Sequence, residues 1–506
     1  MTKLRPSHRL PRPTALLLIC FMTCVGSAQE TADSALADAV EKKHIDLSVR
    51  LLASNIDINA TQADGMTALH WAAYHDQTDL TRKLIAAGAE IGSVTKFGIT
   101  PLTLACQNAS EATVQLLLEN GADPHTTRDG EESVLATAAR AGDAGTVRAL
   151  IAAGASIDRT DENGQTPLMW AAAAGNTEVV KALVQNKADQ TVTLKSGFTA
   201  LTFAIRNGHT DTTQLLLADN TDINQTLQNG RTGKSKSATG MSLLMLAIEN
   251  AHYELAAMLL EAGADPNDDR SGFAPLHALS WVRKPEIGDN ARGNPPPHGS
   301  GKVTSLEFAK ILVLYGADVN FPKRTNSGRR LRISVKGATP FLCAASTADV
   351  AYMKTLRGLG ADPSAITSNK QTALMMAAGI DEGPNADGPA TAEQHFAAVQ
   401  YLLGLDLDNL NQLDAKNQSV MHAAAYKSLP KVIKLLDANG AHISIWNCKN
   451  NQGRTPLDIA RGDRPGNFKP DFQTVRAIEE VMQKHGVNVP ETGSRGATQK
   501  ENWKSP

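Results

Sequence analysis

The sequence predicts an all-α solenoid of about 11 to 12 helix-turn-helix units joined by hairpin-like loops, and three observations carry that expectation. The first is size: 506 residues exceed what one ordinary hydrophobic core organises, so the chain is either several domains or one extended array. The second is composition. Aromatics make up only 4% while hydrophobic residues reach 42%, so the interior must be built from Ala, Leu, Ile and Val, which let helices approach closely. The third is a short helix-start motif that returns about every 33 residues, and only a repeat architecture keeps such a period.

The motif first stands at Thr67-Ala68-Leu69-His70 and returns at Thr100-Pro101-Leu102-Thr103, Ser133-Val134-Leu135, Thr166-Pro167-Leu168-Met169 and Thr199-Ala200-Leu201-Thr202. It continues at Ser242-Leu243-Leu244, Ala274-Pro275-Leu276-His277, Thr339-Pro340-Phe341, Thr372-Ala373-Leu374, Ser419-Val420-Met421-His422 and Thr455-Pro456-Leu457. A Thr or Ser hydroxyl caps a helix, and Pro in the next position gives up an amide that would be unpaired in the first turn anyway. Alanine pairs such as Ala72-Ala73, Ala138-Ala139, Ala171-Ala172 and Ala344-Ala345 follow and supply a thin face. Gly142, Gly175 and Gly208 are placed to end the first helix in a left-handed conformation. A second helix then carries aliphatics at i, i+3 and i+4, as in Val147, Leu150 and Ile151, or Val179, Leu183 and Val184.

After each second helix comes Gly-Ala-Asp or a relative of it, at Gly121-Ala122-Asp123, Gly263-Ala264-Asp265, Gly316-Ala317-Asp318 and Gly360-Ala361-Asp362, followed by turn-forming Asn and Asp. From about Asp33 to Lys484 this pattern resembles the ankyrin repeat. The resemblance implies an L-shaped stack of helix pairs with loops projecting at one side, and a protein partner lying across those loops and the concave face of inner helices. His277-Ala278-Leu279-Ser280-Trp281, the proline-rich stretch after it and Gly337-Ala338-Thr339-Pro340-Phe341 look like the long exported ankyrin proteins of environmental bacteria.

The ends depart from the repeat. Lys3, Arg5, Arg9 and Arg12 precede an apolar run from Ala15 to Val25 and the small residues Gly26-Ser27-Ala28, the layout of a secretory signal peptide cut after Ala28. The run is too short to span a bilayer as a mature helix. Cleavage would take four of the 50 basic residues, leaving 46 against 52 acidic and a net charge of −6, which argues against nonspecific nucleic-acid binding. It would leave Cys106, Cys343 and Cys448, too few and too far apart for a disulfide framework. The expected organisation is therefore a signal peptide over 1–28, a capping repeat over 29–63 with a polar outer side, regular repeats over 64–270, repeats with insertions and a C-terminal cap over 271–485, and a polar, disordered tail over 486–506. Leu36, Val40, Leu47, Leu51 and Leu52 supply the first cap's apolar faces; Phe472, Val475, Ile478 and Val481 supply the last helix's.

Five insertions interrupt the period, and an array carries its individuality there. Thr226 to Thr239 lengthens a hairpin loop and holds Arg231, Lys234 and Lys236 without an acid; Val282 to Thr304 is rich in Gly and Pro. Phe321 to Lys336 holds Lys323, Arg324, Arg329, Arg330, Arg332 and Lys336, again without an acid. Gly379 to Glu393 is acidic, and His442 to Gln452 forms a longer final hairpin with Trp446 and Cys448 in it. The two basic loops lie two repeats apart, roughly 20 Å at about 10 Å per helix layer, so they could form one positive surface for an acidic protein, a glycan or an anionic polymer. Trp281 and Trp446 are the candidate aromatic anchors, whereas Trp71 and Trp170 share the slot of Leu104 and Phe203 and read first as packing residues.

Catalytic and metal motifs are missing from the sequence. There is no His-Glu-x-x-His, paired Cys-x-x-Cys, Gly-x-Ser-x-Gly or phosphate-binding Gly-x-x-x-x-Gly-Lys motif. The ankyrin resemblance implies that His70, His277 and His422 stand in the slot where a histidine bonds the local turn, and His44 and His209 sit at inter-helix turns. Cys106 and Cys343 read as small core residues; Cys448 lies beside Lys449, which could lower its pKa. The expected function is a noncatalytic scaffold without cofactor or metal, in the periplasm or outside the cell, docking a protein partner. The rival is a hydrolase or transferase assembled from the insertions.

Overall fold

The computed structural model describes residues 34–128, 132–217, 221–228, 239–284, 297–324, 336–380, 390–463 and 469–490. The chain divides into two compact units, residues 1–129 and 130–506. The signal-peptide segment 1–28 and, of the expected tail 486–506, the part from 491 onward lie outside the described residues.

The first unit holds three helix pairs: α1 Ala35–Glu41 with α2 Ile45–Leu52, α3 Ala68–Tyr74 with α4 Thr78–Ala86, and α5 Pro101–Gln107 with α6 Glu111–Glu119. The second opens with α7 Val134–Ala141 and α8 Ala144–Ala152, α9 Pro167–Ala174 and α10 Thr177–Gln185, then α11 Ala200–Asn207 and α12 Thr210–Leu216. A two-stranded antiparallel ribbon, β1 Thr226–Gln228 and β2 Thr239–Ser242, forms the base of the first insertion. Thereafter come α13 Leu243–Glu249 and α14 Tyr253–Glu261, α15 Pro275–Arg283 and α16 Ser305–Leu314, α17 Pro340–Ser346 and α18 Val350–Gly358. The series closes with α19 Ala373–Ala377 and α20 Ala392–Leu403, α21 Val420–Tyr426 and α22 Pro430–Ala438, the single turn α23 Ile443–Trp446, and α24 Pro456–Ala460 with α25 Phe472–Lys484. The ribbon is the one departure from helix among the described elements, and it pairs Leu227 with Met241 before a bulge at Gln228.

Each inner helix starts as its sequence dictates. The hydroxyls of Thr67, Thr100, Ser133, Thr166 and Thr199 accept the backbone N–H three residues on, satisfying a donor the helix cannot. Gly142, Gly175 and Gly208 end their helices in the left-handed region. At Gly175 a second constraint applies, because an added Cβ would run into the His209 ring. His209 needs that approach, since its Nε2 donates to the Ala173 carbonyl at 3.1 Å. The alanine pairs at 72–73, 138–139, 171–172 and 344–345 are almost fully enclosed, as a thin stacking face requires.

Two bond systems hold successive repeats in register. The first runs along the turns: in the second unit the Asn224, Asn267 and Asn320 amides donate to the carbonyls of Gly263, Gly316 and Gly360 at 2.8 to 3.2 Å. The same side chains accept the N–H groups of Asp265, Asp318 and Asp362, each at 2.8 Å. This explains the Gly-Ala-Asp signature: its glycine carbonyl and aspartate amide are clamped by the asparagine of the repeat before. The ladder spans the second and third insertions without losing register, and inner helices α7, α9, α11, α13, α15, α17, α19, α21 and α24 pack in sequence.

Histidines make the second system. In His70, His277 and His422 the Nδ1 atom accepts the N–H of the capping residue, and Nε2 donates to a carbonyl of the next repeat's loop: Ile99, Ala338 and Arg454 at 3.1, 3.0 and 3.3 Å. One nitrogen accepts and the other donates, so the ring must be neutral. Burial lowers all three pKa values, those of His277 and His422 to about 4.

The caps differ from their expected chemistry. The first cap's outer helix α2 leaves Ile45, Leu47 and Val49 exposed beside Asp46 and Arg50, so its outer side mixes apolar and charged residues. In α25 Ile478 and Val481 are buried as the periodicity requires, but Phe472 is 77% exposed.

Candidate protein-binding surfaces

The basic loops come first, because the sequence singles them out. Arg231, Lys234, Lys236, Arg329, Arg330 and Arg332 lie outside the described residues. Of the remaining three cations, Lys323 corrects the expectation: it is 1% exposed and forms the closed base of its loop. Its N–H donates to the Ala338 carbonyl at 2.9 Å and its own carbonyl accepts the Gly337 N–H at 2.7 Å, which fixes the side chain under the repeat near Cys343. Burial pulls its pKa below the usual lysine value. Arg324 is exposed but paired with Asp269 at 3.2 Å and placed 5.4 Å from the Phe321 ring centre. Lys336 is exposed.

The aromatic anchors separate. Trp281 is half-buried, packed edge-on against Phe273 at 4.6 Å, and its indole N–H is enclosed without a hydrogen-bond partner among the described residues. Trp446 is 2% exposed, so it is a core residue and no surface anchor. The final insertion winds into α23, and that turn carries the indole inward, which a reading of 442–452 as an extended hairpin does not foresee. Cys448 also differs from a reactive thiol: burial raises its pKa despite Lys449, and its Sγ rests between the Asn417 amide and carbonyl at 3.6 and 3.7 Å. Cys343 is pushed up to about 12, also by burial.

One open pocket of about 340 Å³ borders the second insertion, lined by Tyr253, Arg283, Ser300 and Ser305 among others. Its cation is already engaged. Arg283 holds the buried Asp349 with two bonds of 2.8 and 3.2 Å, donates to the Ser305 hydroxyl and covers the Tyr352 ring. Arg283 thus ties α15, α16 and α18 together where the insertion parts the pair. Among the described residues no three metal-ligating side chains converge, and no helix is long and apolar enough to cross a membrane.

The inner helices carry a surface that the motif search passed over. In the first unit Trp71, the fourth residue of α3, is half-buried and donates its indole N–H to the Gln62 oxygen at 2.7 Å. The Gln62 amide nitrogen then donates to both Asp38 and Glu41, at 2.7 and 2.8 Å, so two carboxylates converge on one small amide. Tyr74 stands edge-on to Trp71, and His75 stacks beside it, each at 5.7 Å between ring centres. His75 donates to the Glu41 carbonyl at 3.0 Å, which fastens the cluster to α1.

The second unit keeps the indole and an upstream acceptor for it, but Thr137, Arg140, Asp161, Ala173 and Ala174 stand where the first unit has Asp38, Glu41, Gln62, Tyr74 and His75. Trp170, again the fourth residue of its helix, donates to Asp161 at 3.2 Å, and Asp161, like Gln62, lies nine residues upstream. Above the indole, 5.2 Å from its centre, sits the guanidinium of Arg140, held by the buried Glu132 at 3.1 Å. Arg206 covers Phe198 in the same manner at 5.6 Å.

Period, caps, histidine bonds and turn ladder together decide the family, and comparison with known families agrees. Ankyrin repeats are matched in three copies over residues 17–93, 36–128 and 135–229, and a further ankyrin repeat over 239–270. This is an ankyrin-repeat chain. Among characterised proteins it is similar to the phosphocholine transferase AnkX of Legionella pneumophila, at 25% identity over 252 residues. That likeness takes in 46% of this chain and spans a quarter of AnkX. Ankyrin repeats mediate contacts between proteins.

Proposed function

We propose that this ankyrin-repeat protein is a noncatalytic scaffold, exported across the inner membrane of a bacterium, that docks a protein partner on its inner helices and enlarged loops. The observation that carries the reading is the half-buried aromatic surface of Trp71, Tyr74 and His75, an arrangement suited to contact, set beside titratable groups already engaged in structural bonds. His70, His277 and His422 hold carbonyls, Arg283 holds Asp349, and the Cys106 and Cys343 thiols are buried. Export rests on the basic, apolar and small-residue succession of the first 28 residues. Mass spectrometry of the secreted or periplasmic chain should find Gln29 at its N-terminus, and an intact Met1 would end the export reading.

The scaffold reading is tested by affinity capture from envelope extract with chemical cross-linking. A partner cross-linked to inner-helix or loop residues is expected; a blank at both low and high salt would overturn it. The second reading, a transferase, is favoured by one observation, that the protein resembled over 46% of this chain is itself a transferase. Transfer of a phosphocholine group by the purified chain to a co-incubated protein would establish it instead.

A further inference from the structure

We propose that the inner face of the first unit, built on Trp71, Tyr74, Asp38 and Glu41, is a recognition site for an arginine side chain presented by a partner protein. The inference rests on the scaffold reading and adds the chemistry of the partner. Its template lies in the same chain. In the second unit the fourth residue of one inner helix is Trp170, and the seventh residue of the helix before it is Arg140, whose guanidinium lies 5.2 Å from the indole centre. In the first unit the corresponding residues are Trp71 and Glu41. The indole is kept, its N–H is anchored to the same upstream position, and the cation is replaced by a carboxylate.

That replacement leaves a site with a definite complement. Glu41 and Asp38 share the Gln62 amide, and neither is ion-paired among the described residues. Two carboxylates held together beside an aromatic face repel one another unless a cation joins them. A guanidinium suits what His75, stacked on part of the indole, leaves half-exposed: it is planar, so it lies against the Trp71 and Tyr74 rings, and its forked N–H groups suit carboxylates. A lysine ammonium satisfies the charge but not the stacking. The surroundings have the same sign, since residues 34–128 hold 11 acidic and 7 basic side chains. Such a site opposes the basic loops: it selects a basic segment, where the loops would select an acidic one.

The test titrates the full chain against a fluorescein-labelled peptide of alternating arginine and serine, read by anisotropy. Lysine and citrulline versions serve as probes of charge and shape. The arginine peptide should bind, the lysine version several-fold more weakly, and the neutral citrulline version not measurably. Glu41→Gln should weaken binding about fivefold, and Glu41→Arg, which copies the second unit's arrangement, should abolish it. Thermal melts identify any variant that fails to fold, and Trp71→Leu offers a second route because Leu104 fills that slot in the next repeat. Equal binding of the arginine and citrulline peptides, or unchanged binding by folded Glu41→Arg, would overturn the proposal. Self-association of the chain that Glu41→Arg removes would overturn it too, by making a second copy the occupant. If a captured natural partner binds Glu41→Arg as tightly as the parent chain, this site falls while the scaffold reading stands.

Discussion

The two units solve the same packing problem with opposite electrostatics. In the second, charged side chains near inner aromatic rings are matched internally: Arg140 lies over Trp170 and pairs with Glu132, Arg206 covers Phe198, and Arg283 joins Asp349 to the Tyr352 ring. In the first, Asp38 and Glu41 converge on Gln62 beside Trp71, and neither is ion-paired among the described residues. Identical repeat geometry therefore does not mean identical use. Where a repeat supplies its own counter-charge, the side chains serve stability; where it withholds one, they are the groups we assign to a partner.

The largest expected effect comes from acid, and it falls chiefly on the second unit. His277 and His422 are both fully enclosed with folded pKa values of about 4, whereas an unfolded histidine titrates near 6.5. Between those values the unfolded chain binds more protons than the folded one, so stability is complete above about pH 6.5 and is lost as pH falls toward 4. Each group contributes on the order of 3 kcal/mol to that loss. Thermal melts from pH 7 to pH 4 should show a steep decline. His422→Thr, which installs the residue found in that slot at Thr103 and Thr202, should flatten the decline. An unaltered slope would remove the neutral-histidine account.

Next in size is the ion pair. Asp349 is 3% exposed, so Arg283→Met strands a buried carboxylate and should destabilise the protein by about 3 kcal/mol in denaturant titration. Glu41→Gln should leave stability within about 0.5 kcal/mol, because its partner Gln62 keeps Asp38 and Trp71. Comparable losses in the two variants would erase the distinction between a unit that spends its charges internally and one that does not.

Much of the fold was legible because repetition supplies many samples of one local code. The period, the Thr or Ser caps and the alanine faces follow from motif position, and the local turn bond of His70, His277 and His422 from the ankyrin resemblance; their second bond, to the next repeat, does not. The insertions offer no such redundancy. Lys323 reads as a loop cation until the backbone pairing of 323 with 337 and 338 is seen, and Trp446 reads as exposed until α23 is seen. The inner-face site was hidden for a different reason. The correspondence of Glu41 with Arg140 requires helix α1 to be registered from Ser34, and the first repeat lacks the Thr-Pro-Leu start that would have set that register. The slot of Trp71 was legible; the charge placed beside it was not.

A smaller effect tests the Trp170 template itself. Arg140→Gln removes the cation over the indole and leaves Glu132 buried, with Thr137 donating to it at 3.0 Å. The expected cost is about 1 kcal/mol, the sum of a cation–π contact and a half-exposed ion pair. A cost near zero would mean that Arg140 merely rests on Trp170, and would weaken the argument that an arginine belongs beside Trp71.

The smallest effect concerns the turn ladder. At Asp158 the clamp is half-made: its carboxylate accepts the Asp189 N–H at 3.0 Å, but a carboxylate cannot donate to the carbonyl at the position equivalent to Gly263, which is Lys187. Asn224, Asn267 and Asn320 make both bonds. Asp158→Asn should therefore add one exposed hydrogen bond and raise stability by about 0.5 kcal/mol. Amide exchange at Asp189 should slow with it, since that N–H is the one the completed clamp holds. A stabilised chain with unchanged exchange at Asp189 would place the gain in relieved acidic repulsion instead, and the ladder would then be a consequence of the stacked helices and no part of what sets their register.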